Sequence, residues 1–114
     1  MRNNFEEKIY GELVKRFGKA NVSYESLKLP YVEEKTYTPD FVVLTNDGKI
    51  IIETKGYFRP KDRRLMRLIK DQHNDKDIRM LFYSNSKIGK AMRCSEWAER
   101  NGFVYAIGNV PTDW

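Results

Sequence analysis

Two apolar, β-rich runs, Phe41-Val42-Val43-Leu44 and Ile50-Ile51-Ile52, lie close together with Asn46-Asp47-Gly48-Lys49 between them. Asp-Gly between such runs is a strong short-range hairpin signal, because glycine accepts the positive φ that tight hairpin turns need. A two-residue turn centred on Asp47-Gly48 predicts a register: Asn46 opposite Lys49, Val42 opposite Glu53, and Asp40 opposite Lys55. Paired residues share a sheet face, and so do residues two apart along one strand. Asp40, Glu53 and Lys55 are therefore expected to project together from the end of the hairpin far from its turn. Phe41, Val43, Ile50 and Ile52 fall on the other face, which reads as the core face.

That trio has a specific chemical use. Hydrolysis of a phosphodiester needs charge neutralised on the attacking and leaving oxygens. Mg²⁺ does this, and it prefers carboxylate oxygens and water. Asp40 and Glu53 can share one ion, and the backbone carbonyl of Thr54 can add a ligand. Lys55 beside them can hold the attacking water, help to deprotonate it, or neutralise the phosphate, and the sequence leaves all three roles open. Clustered carboxylates repel unless a cation joins them, so a purely structural trio would need a reason of its own.

The rest of the composition bounds this reading. The chain has 114 residues, enough for one domain spanning 1–114. It is 40% hydrophobic and 32% charged, as a globular, well-solvated domain is. No apolar run approaches the roughly 20 residues that span a bilayer. No signal peptide is expected from Met1-Arg2-Asn3-Asn4, which leads into an amphipathic helix. One cysteine, Cys94, excludes an internal disulfide and fits a reducing, cytoplasmic setting. With a single cysteine and a single histidine, zinc chemistry is not expected. The net charge of +5 favours a polyanionic partner. The excess is concentrated in Lys55, Arg59, Lys61, Arg63, Arg64, Arg67 and Lys70, where Asp62 is the only acid. Such a run is often a solvated helix face. Starting at the trio's own lysine, it points to phosphate contact, and Arg59, Lys61, Arg63, Arg64, Arg67 and Lys70 are the expected DNA-binding set.

Periodicity supplies the remaining elements. Phe5, Ile9, Leu13 and Phe17 recur at helical spacing. Asn4 is the expected cap, with Glu7 three residues on, and Gly18 the expected stop. Val22 to Leu29 alternates as a strand. Pro60 suits the first turn of a second helix. On that helix Leu65, Leu68 and Ile69 form the expected apolar stripe, and Arg63, Arg67 and Lys70 a basic one. Ile78 to Tyr83 reads as an interior strand, Ser95 to Asn101 as a short helix, and Phe103 to Ile107 as a last strand. The order α-β-β-β-α-β-α-β predicts an α/β fold with a mixed central β-sheet flanked by helices.

The Pro39-Asp40 and Glu53-Thr54-Lys55 pair, set on a strand-turn-strand, resembles the PD-(D/E)xK nuclease superfamily and its restriction-endonuclease-like core. The flanks Leu29-Pro30-Tyr31-Val32, Tyr37-Thr38-Pro39-Asp40-Phe41, Glu53-Thr54-Lys55-Gly56 and Asp77-Ile78-Arg79 together resemble the phage endonuclease I family, from about Phe5 to Pro111-Thr112-Asp113-Trp114. The resemblance implies a Mg²⁺-dependent endodeoxyribonuclease that resolves four-way (Holliday) DNA junctions. Mn²⁺ is expected to substitute, with two ions per active site. Phe5-Glu6-Glu7-Lys8-Ile9 matches the family's local pattern for a helix acid that completes the metal site, which implies that role for Glu6. A helix N-terminus also favours any acid through its dipole. The family further implies a homodimer on branched double-stranded DNA, with elements exchanged between subunits. Two departures bear on this. The acid that the family can place near Ser23 is absent, with Glu25 the nearest substitute. The bridge Val32-Glu33-Glu34-Lys35 is also short for such an exchange.

Two other functions compete with junction resolution. One keeps fold and metals but nicks DNA in a mismatch-type or transposase-associated role. The other is a basic DNA-binding module without catalysis, and the intact trio argues against it. His73 is expected to be a surface or cap residue. Tyr57 and Phe58 are expected to pack under the second helix rather than stack on DNA.

Overall fold

The computed structural model describes residues 1–114, which divide into two compact units, 1–35 and 36–114. In the first unit, helix α1 (Asn4–Phe17) is followed by a 3-10 turn (Lys19–Asn21). Asn3, one residue before the expected cap, closes the helix: its side-chain Oδ1 accepts from the Glu6 N–H at 2.8 Å. Glu6, not Glu7, thereby takes the capping-box position, and its carboxylate accepts from the Arg2 N–H at 3.2 Å. Gly18 at φ 90° ends the helix by donating to the Val14 carbonyl, as expected. No residue of α1 is buried. The expected strand at Val22 to Leu29 does not form, and Glu25 sits at positive φ. Alternation alone does not make a strand: its backbone groups need a neighbouring ladder, and the chain pairs none with this segment.

The second unit holds the predicted mixed sheet, in the order β1-β2-β3-β6. Strands β1 (Phe41–Thr45) and β2 (Gly48–Lys55) are antiparallel, while β3 (Asp77–Phe82) and β6 (Val104–Ile107) run parallel to β2. Helices α2 (Pro60–Gln72) and α3 (Cys94–Arg100) connect the parallel strands, and β4 (Lys87–Ile88) pairs with β5 (Met92–Arg93) in a small hairpin before α3.

The main hairpin turns one residue earlier than its Asp-Gly suggested. Thr45 pairs with Gly48, so Asn46-Asp47 is the turn and the positive φ falls on Gly48, at 133°. A turn centred on Asp47-Gly48 of the type that Asp-Gly favours would put Asp47 itself at positive φ, and it is not there. The pairing therefore shifts by two residues: Phe41 faces Ile52 and Val42 faces Ile51. A two-residue shift preserves faces, because side chains alternate with period two. Continued by one residue, this register sets Asp40 opposite Glu53 rather than Lys55.

The core lies on the opposite face from the one expected. Parallel pairing aligns Ile51, Glu53 and Lys55 with Ile78, Met80 and Phe82. Met66 of α2 and Cys94, Trp97 and Ala98 of α3 pack over that same face with Phe58 and Phe103. Trp97 stacks on Phe103 at 5.4 Å and meets Phe58 edge-on at 4.7 Å. On the other face Ile50 and Ile52 are buried, but Phe41 and Val43 on β1 remain 57% and 41% exposed. Helix α2 differs in the same sense: Met66 and Ile69 pack inward, while Leu65 and Leu68 face outward. No helix is long and apolar enough to cross a membrane.

Candidate active site

Strand β2 brings Glu53, Thr54 and Lys55 together at its C-terminal end. The segment Tyr37-Thr38-Pro39-Asp40 reaches the same end just before β1. Proline at position 39 has no N–H to pair and a fixed φ, which suits a strand entry. Asp40 is exposed, and its Oδ2 accepts from the Thr54 N–H at 2.9 Å and the Thr54 hydroxyl at 2.8 Å. These two bonds, with Lys55 nearby, hold its carboxyl below the usual carboxylate range.

Glu53 is only 7% exposed, the one charged residue in the buried set. A carboxylate so placed needs partners. Its Oε1 accepts from the Tyr37 hydroxyl at 2.6 Å and lies 3.4 Å from the Asp40 N–H. Its Oε2 lies 3.4 Å from Lys55 Nζ. Lys55 Nζ is also 3.6 Å from Asp62 Oδ1. The other oxygen of Asp62, Oδ2, accepts from the Arg59 N–H at 3.0 Å and so closes the N-terminus of α2. One carboxylate therefore caps the helix and holds the lysine at the site.

Asp40, Glu53 and Lys55 thus stand together as the motif predicted, with Thr54 between them. Asp40 turns Oδ2 toward the Thr54 donors, and Glu53 turns Oε1 toward Tyr37 and the Asp40 N–H and Oε2 toward the Lys55 ammonium. Two carboxylates beside a lysine offer hard anionic oxygens. That donor set fits a divalent cation of the Mg²⁺ type. Tyr37 and Asp62 belong to this site too, and sequence reasoning missed both. Tyr37 was legible only as a neighbour of Pro39-Asp40, and Asp62 only as the lone acid in a basic run.

Glu6 lies in the first unit. Besides Arg2, its carboxylate accepts from the Tyr24 hydroxyl, and these bonds, Tyr24 first, lower its pKa. Glu25 pairs with Arg2.

The basic run divides. Arg63 turns inward: its guanidinium donates to the Phe58 carbonyl at 2.6 Å and lies over the Phe58 ring. Lys70 places Nζ 4.7 Å from the centre of the Phe103 ring. Arg59 lies over Tyr57, and Lys61, Arg64 and Arg67 are exposed. Arg64, Arg67 and Lys70 line an open cleft of about 470 Å³ with Asn74 and Asn101. The expected stripe of Arg63, Arg67 and Lys70 is thus interrupted, because position 63 points toward the core along with Met66. Tyr57 and Phe58 also part company: Phe58 is buried beside Trp97, and Tyr57 is 75% exposed.

The family model for phage endonuclease I matches residues 1–114. The chain is 35% identical over 119 residues to Endonuclease I of Escherichia phage T7, covering 99% of this chain and 76% of that protein. It is 36% identical over 116 residues to Endodeoxyribonuclease 1 of Enterobacteria phage T3, covering 96% of this chain and 73% of that protein.

Proposed function

The chain belongs to the phage endonuclease I family, and from that premise we propose that it is a metal-dependent, structure-selective endodeoxyribonuclease that resolves four-way DNA junctions. The observation that carries the chemistry is the meeting of Asp40, Glu53 and Lys55 at one end of β2, with Glu53 buried and held by hydrogen bonds. Asp40, Glu53 and the Thr54 carbonyl are the groups that would hold Mg²⁺ or Mn²⁺. When bound, the metal neutralises charge on the oxygens of the scissile phosphate. Thr54 keeps the Asp40 carboxyl ionised and oriented. Lys55, tethered by Glu53 and Asp62, presents an ammonium to the attacking water or the phosphate. Arg59, Lys61, Arg64, Arg67 and Lys70 offer positive charge along α2 for neighbouring phosphates.

The working form is a homodimer. Helix α1 has no buried residue, and Phe5 and Phe17 on it are 70% and 54% exposed. Apolar side chains of β1 are likewise uncovered. A second copy of the chain supplies complementary apolar surface, and two cuts in paired strands need two sites. In the exchanged form, Glu6 of one subunit completes the metal site of the other. Mixing a Glu6→Ala chain with an Asp40→Asn chain tests this. Both lesions then share one site of the exchanged heterodimer, and nicking of one strand returns. Without exchange, each site carries one lesion and activity stays absent.

The deciding experiment compares a four-way junction, linear duplex and supercoiled plasmid, each with Mg²⁺, Mn²⁺ and a chelator. Selective metal-dependent cutting of the junction is expected. Equal cutting of linear duplex would leave a general nicking enzyme, and no metal-dependent cutting of any substrate would sink the catalytic reading.

A further inference from the structure

Tyr37 lies three residues before Asp40, and its ring packs against the core built around Met80 and Phe82. Its hydroxyl donates to Glu53 Oε1 at 2.6 Å. The same short segment therefore approaches Glu53 twice, once through Tyr37 and once through the Asp40 N–H. Both donors address Oε1. Neither addresses Oε2, which faces Lys55 at 3.4 Å.

We infer that Tyr37 is a positioning residue for cation binding: it locks the Glu53 carboxylate so that Oε2 is presented with Asp40 as a ready-made divalent-metal donor pair. This rests on the reading of Asp40 and Glu53 as metal-holding groups. The physical reason is the two-fold freedom of a glutamate's terminal torsion, which the Tyr37 bond removes. A carboxylate free to swing would have to be ordered at the moment the ion arrives, and that ordering weakens binding. A neutral donor suits the role, because it orients the carboxylate without cancelling its charge. Partners that orient a ligating group typically command ten- to hundredfold in metal affinity or activity, roughly the range expected here.

The test is Tyr37→Phe, which keeps the ring in the core and removes only the hydroxyl. Mn²⁺ is titrated into the 114-residue chain without DNA and followed by electron spin resonance, with thermal unfolding measured in parallel. The inference expects the Mn²⁺ dissociation constant to rise by about ten- to hundredfold. The metal concentration for half-maximal cleavage should rise with it, and excess metal should restore most of the rate. Against a Glu53→Gln background, adding Tyr37→Phe should change Mn²⁺ binding no further. Unchanged Mn²⁺ affinity in Tyr37→Phe overturns the inference, whether or not the melting temperature falls. A loss of rate that excess metal does not repair overturns it too. If Tyr37→Phe does not fold, Tyr37→Met, which fills the same core space without a donor, replaces it under the same readouts, and unchanged Mn²⁺ affinity in it overturns the inference. A wild-type protein that binds no Mn²⁺ sinks the underlying metal reading, whereas normal wild-type binding with an indifferent Tyr37→Phe sinks this inference alone.

Discussion

The two units of this chain spend their apolar residues differently. Residues 36–114 enclose a core in which Met80, Phe82, Met66 and Cys94 are almost completely hidden. Residues 1–35 contain an equally regular amphipathic helix, yet none of its residues is buried. Helical periodicity is present in both, so periodicity by itself does not make a core. The helices of the second unit find a sheet face to cover, whereas α1 has an apolar stripe still to be used. The contrast teaches that an amphipathic pattern makes a core only where another element covers it, as the sheet face does for α2 and α3 and as nothing does for α1.

The sharpest way to break this comparison is to cut one large side chain from each unit. Trp97→Ala should lower the stability of the chain by about 3–5 kcal/mol, the usual cost of emptying an aromatic core site. Leu13→Ala on α1 should cost no more than about 0.5 kcal/mol to the monomer, as exposed substitutions do. Chemical unfolding at low protein concentration measures both, and equal losses would mean that α1 is already buried in the isolated chain. At higher concentration Leu13→Ala should weaken self-association, read by sedimentation.

The second comparison concerns chemistry. Asp40→Asn and Glu53→Gln should each reduce cleavage by more than about a hundredfold, since even the outer partners of metal ligands command ten- to hundredfold. DNA binding in Ca²⁺ should stay near wild type, because the basic surface of α2 is untouched. Gel-shift and cleavage assays on one substrate separate the two effects. Weakened binding to the same degree would move these acids from catalysis to structure.

A smaller effect is expected at Asp62, which joins fold to site. Asp62→Ala removes the acceptor that closes α2 and should cost on the order of 1 kcal/mol, as lost caps do. It also releases one of the two acids that hold Lys55, so cleavage should fall by more than the stability loss explains. A full rate at saturating metal in Asp62→Ala would reduce this residue to a cap.

The smallest effect is a titration. Asp40 is held below the usual carboxylate range chiefly by Thr54. A depressed carboxyl stabilises the fold above its unfolded pKa of about 4 and loses that contribution as pH falls through the folded value. Thr54→Val deletes the hydroxyl donor and keeps the backbone one. The Asp40 pKa should rise toward the ordinary value, read from its carboxyl carbon by NMR. A pKa that stays in place would assign the whole depression to the backbone N–H and Lys55.

Much of this protein is legible in its amino-acid sequence alone. The β-branched runs 41–44 and 50–52 announce a hairpin, and period-two alternation puts Asp40, Glu53 and Lys55 on one face even though Asp47-Gly48 misplaces the turn by a residue. A register error of two residues leaves faces intact, which is why the site survives it. The helices at 60–72 and 94–100 and the strand at 77–82 follow from Pro60 and from apolar spacing. Three matters depended on tertiary structure. The helices could cover either face of the sheet, and they chose that of Glu53, which buried an acid and left Phe41 and Val43 open. Val22 to Leu29 alternates like a strand but has no ladder to join, and a strand exists only with its partner. Tyr37 and Asp62 became part of the site because folding brought Tyr37 to Glu53, sixteen residues away in sequence, and Asp62 to Lys55. Local pattern determines which way a side chain faces along its own element. Which surface meets that side chain is decided by packing between elements distant in sequence, and no local pattern encodes it.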